Sequence, residues 1–174
     1  EWLRAMVKFQ QLSAPTAAKS VEDTTFYRYA RLLSRNEVGT EPSQWSLSPA
    51  AFHAAGKERQ KRFPLALLAT ATHDHKRGED TRARLAVLSE IPSEWEAALQ
   101  RWMRLNASMK RDLDGPAPDV ADEIMLYQTL VAAWPLDLAA TDVEGVKAFE
   151  DRVAGWLEKA LREAKRHTGW AAPD

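Results

Sequence analysis

Pro64-Leu65-Ala66-Leu67-Leu68-Ala69-Thr70-Ala71-Thr72 is an unbroken run of apolar and small residues, and it ends abruptly in the polar cluster His73-Asp74-His75-Lys76-Arg77-Gly78-Glu79-Asp80. Such a run suits a buried parallel strand that delivers polar residues at its C-terminal end, the layout of a βα-barrel active site. It suits a stretch of buried helix equally well. A lone strand leaves both rows of its backbone groups unpaired, so the run must pair with another copy, be covered by helices, or become helical. The expectation is a mainly α fold with at most one short strand.

Helical spacing dominates outward from that run. Trp2, Met6 and Phe9 share a face, as do Phe26, Tyr29, Ala30 and Leu33. The same steps relate Trp95, Leu99, Trp102 and Leu105, then Ile124, Tyr127, Val131 and Trp134, then Val146, Phe149, Val153, Trp156 and Ala160. Ser48-Pro49 reads as a cap followed by proline in the first turn, and Ser93 with Glu96 and Thr141 with Glu144 fit capping boxes. Pro135 stops one helix; Lys165, Arg166, His167 and Gly169 suit the negative end of the last. Asp114-Gly115-Pro116-Ala117-Pro118 reads as a hinge loop.

With 174 residues, 45% of them apolar, the chain is long enough for one buried core, and a mean hydropathy of −0.46 places it among water-soluble sequences. A formal charge of −1 from 24 basic and 25 acidic residues provides no global field for nucleic acid or anionic membrane, so neither is expected as a partner. The absence of cysteine fits a cytoplasmic setting. A start at Glu1 inside a helical pattern and a stop at Ala172-Pro173-Asp174 read as the ends of an excised segment.

Three chemistries compete for the polar cluster. His73 and His75 alternate along a strand and could share a metal ion with Asp74, although a third ligand is not evident. The cluster also fits a solvated loop opening a helix, with Glu79 and Asp80 favourably near its N-terminus. As a sugar site, carboxylate and imidazole at a strand end would hydrogen-bond hydroxyls, with Lys76 and Arg77 doing so further out.

Residues 71–90, from Ala71-Thr72-His73-Asp74-His75-Lys76-Arg77-Gly78-Glu79-Asp80 to Ser89-Glu90, resemble the fourth conserved region of the α-amylase superfamily (glycoside hydrolase family 13) in the form found in maltooligosyl trehalose synthases. Ala18-Lys19-Ser20-Val21-Glu22-Asp23-Thr24-Thr25-Phe26-Tyr27-Arg28-Tyr29 and Asn36-Glu37-Val38-Gly39 resemble that family's AKGVEDTAFYRY and NEVGG segments, and Ala164 to Trp170 its AK-HTSW segment. Ser20 replaces a usual glycine, which suggests a positive φ beside Lys19. His75 stands where threonine is usual, and Gly78 and Gly169 stand where serine is.

The resemblance implies a fragment of a (β/α)8-barrel enzyme and its helical insertion, with residues 1–80 from the barrel region and 81–174 forming a helical subdomain. It implies a retaining glucosylmutase that turns the reducing-end α-1,4 link of a maltooligosaccharide into an α,α-1,1 link, without a cofactor or metal. Asp74 matches the third superfamily carboxylate, which grips ring hydroxyls; the nucleophile and the acid would lie outside this sequence. His73 would assist at the same sugar, while Lys19, Lys76 and Arg77 would bind substrate, the two lysines at the reducing-end subsite. The competing reading is an autonomous helical interaction or scaffold domain without catalysis. Beside these roles, Lys19 with Glu22 or Asp23 fits an exposed intrahelical pair. Tyr27, Tyr29, Trp95, Trp102 and Trp134 fit core packing; His53 and His167 fit surface or capping positions; and Lys57-Glu58-Arg59-Gln60-Lys61-Arg62 fits a solvated helix face.

Overall fold

The computed structural model describes residues 1–41 and 43–173; Pro42, within the expected 1–80 segment, and Asp174, at the end of 81–174, lie outside them. Helices α1 (Trp2–Val21), α2 (Pro49–Arg62), α3 (Glu79–Val87), α4 (Pro92–Asn106), α5 (Val120–Ala133) and α6 (Val143–Ala164) carry the fold. The mainly α expectation therefore stands. None of the described helices is long and apolar enough to cross a membrane.

The run Pro64–Thr72 forms no strand. It is turn and irregular backbone, with Leu65, Leu67 and Leu68 exposed at 93%, 100% and 71%. No described strand lies beside it, and an extended backbone there would have gained no ladder bonds to offset its ordering. The strands that do form are two residues each, β1 (Arg111–Asp112) and β2 (Pro116–Ala117), paired antiparallel. The expected hinge is their turn: Asp114 and Gly115 take φ of 59° and 129°, and the Asp112 carboxylate accepts from the Gly115 amide at 3.0 Å.

Local signals succeed unevenly. Ser48 caps α2 through the Ala51 amide with Pro49 in the first turn, and Pro135 follows the end of α5 as expected. The two capping boxes are not used. α4 starts at Pro92, so Ser93 lies inside it, and Asp142 rather than Thr141 caps α6 by accepting from Gly145 at 3.0 Å. Gly145 suits that cap because a Cβ would come within 2.4 Å of the Asp142 carboxylate. The spacing at Phe26–Leu33 builds no α-helix; it becomes two 3-10 turns, Thr25–Tyr27 and Leu33–Arg35, with Phe26 and Leu33 still buried. Ser20 is helical and needs no positive φ. The left-handed residue that ends α6 is Lys165 (φ 52°), not Gly169.

The core gathers Leu85 and Leu88 of α3, Met125 and Ala132 of α5, and Ala160 and Ala164 of α6 around Tyr27, Leu32 and Leu33. The α4 face joins it through an aromatic row, with Trp95 to Trp102 at 5.9 Å and Trp102 to Tyr127 at 5.3 Å between ring centroids. Residues 25–35 thus run irregularly through the centre, and side chains satisfy their backbone. Gln128, fully buried in α5, accepts from the Leu33 amide at 2.8 Å and donates to the Ala30 carbonyl at 2.6 Å. Arg28 donates to the Ala164 carbonyl at the end of α6 at 2.6 Å, and Arg84 donates to the Trp134 carbonyl after α5 at 2.9 Å.

Replacing Gln128 with Leu would keep the volume but leave the Leu33 amide and Ala30 carbonyl without partners. Each buried unsatisfied group costs about 1–3 kcal/mol, so with two such groups Gln128→Leu should lose roughly 2–6 kcal/mol in chemical denaturation. Gln100→Leu, on the exposed face of α4, should change stability by less than about 0.5 kcal/mol.

Candidate functional site

The loop between the apolar run and α3 is held from the side of residues 19–39. The Glu37 carboxylate, 4% exposed, accepts from the backbone amides of Lys76 at 2.7 Å and Arg77 at 3.0 Å. It also accepts from the next amide in its own chain, Val38, at 3.0 Å. Asn36, equally buried, donates to the carbonyls of Phe26 (2.9 Å) and Tyr29 (2.5 Å), closing the turn from which Glu37 projects. Gly39, with φ of 78°, permits the next reversal, and its amide donates to the Glu22 carboxylate at 3.3 Å.

Asp23, just past the end of α1, draws two expected site lysines together. Its Oδ2 meets Lys19 Nζ at 2.5 Å and its Oδ1 meets Lys76 Nζ at 2.7 Å. Lys19 is thus paired along its helix, as one reading of the sequence has it, and that same partner also carries Lys76. Burial opposes the charge on Asp23, but the two lysine hydrogen bonds outweigh it and lower its pKa. The hydrogen bond to Asp23 raises the Lys19 pKa. Lys76 is also raised, against an opposing burial effect, by its Asp23 bond. The Asp74 carboxylate adds to the field at both ammonium groups.

Asp74 itself is open: its side chain is 67% exposed, and its ion partner is His73, at 3.4 Å. His75 turns back, with Nδ1 accepting from the Thr72 amide at 2.9 Å, so the two imidazoles do not converge on Asp74. Arg77 runs toward α6, where its guanidinium lies 5.6 Å from the centre of the Trp156 ring and 3.5 Å from the Asn36 carbonyl. Burial lowers its pKa. Beside it, Gly78, Thr81, Thr129, Arg152 and Trp156 line a cleft of about 240 Å³.

Of the five expected residues, Lys19 and Lys76 are thus joined through Asp23, His73 and Asp74 form a separate pair whose carboxylate field reaches both lysines, and Arg77 faces α6. Sequence reasoning missed Asn36 and Glu37 as supports because a carboxylate in a polar tetrapeptide reads as surface. Asp23 was read only as a pair for Lys19.

Comparison with known proteins bears on what such a loop serves. No family model matches the chain. A provisionally named maltooligosyl trehalose synthase of Mycobacterium tuberculosis H37Rv is 38% identical over 168 residues, covering 97% of this chain and 20% of that protein. The crystal structure of a hypothetical maltooligosyl trehalose synthase from Sulfolobus tokodaii superposes with a TM-score of 0.80 at 35% identity, covering 99% of this chain and 22% of the other. The chain corresponds to a segment of maltooligosyl trehalose synthase. The synthase structure from Arthrobacter ramosus agrees, with a TM-score of 0.75 at 36% identity over 98% of this chain and 20% of its own. The chain spans about a fifth of the length of the synthases it matches.

Among the described residues, the histidine and carboxylates near enough to share an ion are Asp119, Asp122 and His167, not the 73–75 cluster. Their carboxylates already serve the fold. Asp119 caps α5 through the Asp122 amide at 2.9 Å, pairs with Arg166, and takes His167 Nε2 at 3.2 Å. His167 is therefore a link from the end of α6 to the start of α5, and His53 is an exposed neighbour of Phe52. Burial works against the Asp119 charge, yet the Asp122 amide, His167 and Arg166 together pull its pKa to about 2. Asp122 is raised, by burial first and the Asp119 charge second.

Two outcomes follow from these charges. In Asp23→Asn, the Lys19 pKa should fall back toward the ordinary lysine range, and Lys76, whose burial is then opposed only by the lesser fields of Tyr27 and Asp74, should fall as well; NMR titration of the Nζ groups checks both. A depressed carboxylate stabilises the fold above its unfolded pKa of about 4 and loses that contribution as the pH falls through its folded value. For Asp119 the window runs from about pH 4 down to about 2. Denaturation midpoints of Asp119→Asn should therefore vary less with pH across that window than those of the parent chain.

Proposed function

We propose that this segment supplies the reducing-end sugar-binding wall of a maltooligosyl trehalose synthase of the α-amylase superfamily, acting in cytoplasmic trehalose biosynthesis. On this reading, residues 1–80 belong to the catalytic barrel region and 81–174 to a helical subdomain. The enzyme moves the reducing-end glucose of a maltooligosaccharide from an α-1,4 to an α,α-1,1 link. A carboxylate nucleophile and a carboxylic acid, about 5 Å apart and both outside this sequence, carry out the double displacement.

Asp74 grips hydroxyls of the transferred sugar through charge-assisted bonds that tighten as its ring distorts toward the oxocarbenium-like transition state. His73 assists at the same sugar. Lys19 and Lys76 hold the released glucose while it turns and offers its anomeric hydroxyl in place of water. Arg77, directed to Trp156, contributes by anchoring the loop. The observation that carries this reading is the Asp23 bridge, which joins lysines from two distant sequence blocks beside the Asp74 loop. A solvated loop opening a helix has no need of that convergence.

The test is conversion of maltopentaose to its trehalose-ended isomer by the complete reading frame. Removing one preorganised transition-state contact typically lowers turnover by about 10²–10³. Asp74→Asn should lose at least about a hundredfold by that measure, and this segment alone should be inactive. Wild-type turnover by Asp74→Asn would remove the assignment, and a frame with no barrel would favour a non-catalytic helical module.

A further inference from the structure

We propose that Glu37 is a positioning residue whose buried carboxylate aims the 73–78 loop and, through Lys76, helps keep water from taking the place of the turning glucose. The inference rests on the proposed function and concerns a residue that would touch no sugar. Burying a carboxylate is unfavourable unless hydrogen bonds replace its water. At Glu37 they do: Oε1 accepts from Val38 and Lys76, and Oε2 accepts from Arg77. Two of these three donors belong to a loop that is distant in sequence.

Lys76 is held at both ends, its backbone by Glu37 and its ammonium by Asp23. Asp74 emerges two residues earlier, its carboxylate paired with His73. On the other side the loop joins the irregular, largely exposed run Pro64–Thr72, whose Thr70 is tied to Glu79 and Arg82 of α3 rather than to residues 19–39. Where the loop sits relative to Lys19 is therefore set chiefly by the Glu37 and Asp23 contacts. Glu37 differs from Asp23 in gripping main chain, so it fixes the path of the loop rather than one side-chain end.

Glu37→Gln is nearly isosteric but retains one acceptor oxygen and presents an NH2 donor where an amide N–H needs an acceptor. Two readouts in the complete reading frame test the role. First, hydrogen exchange resolved by electron-transfer fragmentation should show the Lys76 and Arg77 amides protected in the wild type relative to His73 and Asp74. In Glu37→Gln they should exchange roughly tenfold faster or more, while α5 amides hold their rates. Second, the ratio of free glucose to trehalose-ended isomer formed from maltopentaose should rise several-fold. That ratio does not change when a variant merely lowers the folded fraction.

Unchanged exchange at Lys76 and Arg77 would overturn the role, and so would faster exchange spread over the whole molecule with a constant product ratio. The wild-type comparison within the loop needs no variant, so equal exchange at residues 73, 74, 76 and 77 would overturn it even if Glu37→Gln fails to fold. A wild-type frame that makes no isomer removes the proposed function and the water-exclusion role with it, whereas the exchange arm still decides whether Glu37 holds the loop.

Discussion

The centre of this molecule is occupied by irregular chain, and the need to satisfy its backbone organises everything around it. Residues 22–39 run from the end of α1 to the turn at Gly39 through two 3-10 turns. A helix or sheet would pair its own amides and carbonyls. Here the Gln128 and Asn36 side chains do so, while Arg28 of this segment satisfies the Ala164 carbonyl at the end of α6. Gln128 fastens this segment to α5 and Arg28 fastens it to the end of α6, while Asn36 ties the segment to itself across the Phe26 and Tyr29 carbonyls. The polar side chains in the core therefore specify the path, while Leu33, Leu85, Met125 and Ala160 supply its apolar packing.

The same arrangement delivers the charged site. With residues 22–39 fixed, Asp23 and Glu37 present carboxylates toward the loop after Thr72, one taking the Lys76 ammonium and the other the main chain. Two lysines close to one carboxylate repel each other less than they would alone, and both stay protonated well above neutral pH. Asp74 stands largely exposed, paired with His73, an acceptor whose field reaches both fixed donors. That combination suits a neutral polyhydroxyl ligand, which needs donors and acceptors together rather than a field of one sign. It also agrees with a net charge near zero over the whole chain.

Large apolar side chains stand open on one part of the sequence. Trp2, Leu3, Phe9 and Leu12 of α1 and Phe63, Leu65, Leu67 and Leu68 after α2 are all more than 60% exposed. α1 and α2 bury no residue, whereas α5 and α6 contribute much of the core. The synthase structures resemble this chain over nearly all of its length while being about five times longer. Periodicity alone therefore does not say which face is covered: α1 and α6 both carry an apolar face, and of the two only α6 buries residues of it within this chain.

What the sequence by itself determined is what depends on neighbours a few residues apart. The spacing of Val146, Phe149, Val153, Trp156 and Ala160, the Ser48 cap with Pro49, and the stop at Pro135 are local and were legible. The polar cluster at 73–80 was legible as the chemically rich segment, and the blocks at Lys19, Asn36 and Ala164 as its companions. Tertiary structure decided the rest. Whether Pro64–Thr72 becomes a strand depends on a partner strand, which no local pattern encodes. Whether Thr141 or Asp142 caps α6 depends on which oxygen reaches the first free amides. The roles of Glu37 and Asp23 come from desolvation and long-range contact: a carboxylate sits at the centre of this fold only because amides and ammonium groups from distant parts of the chain meet it there.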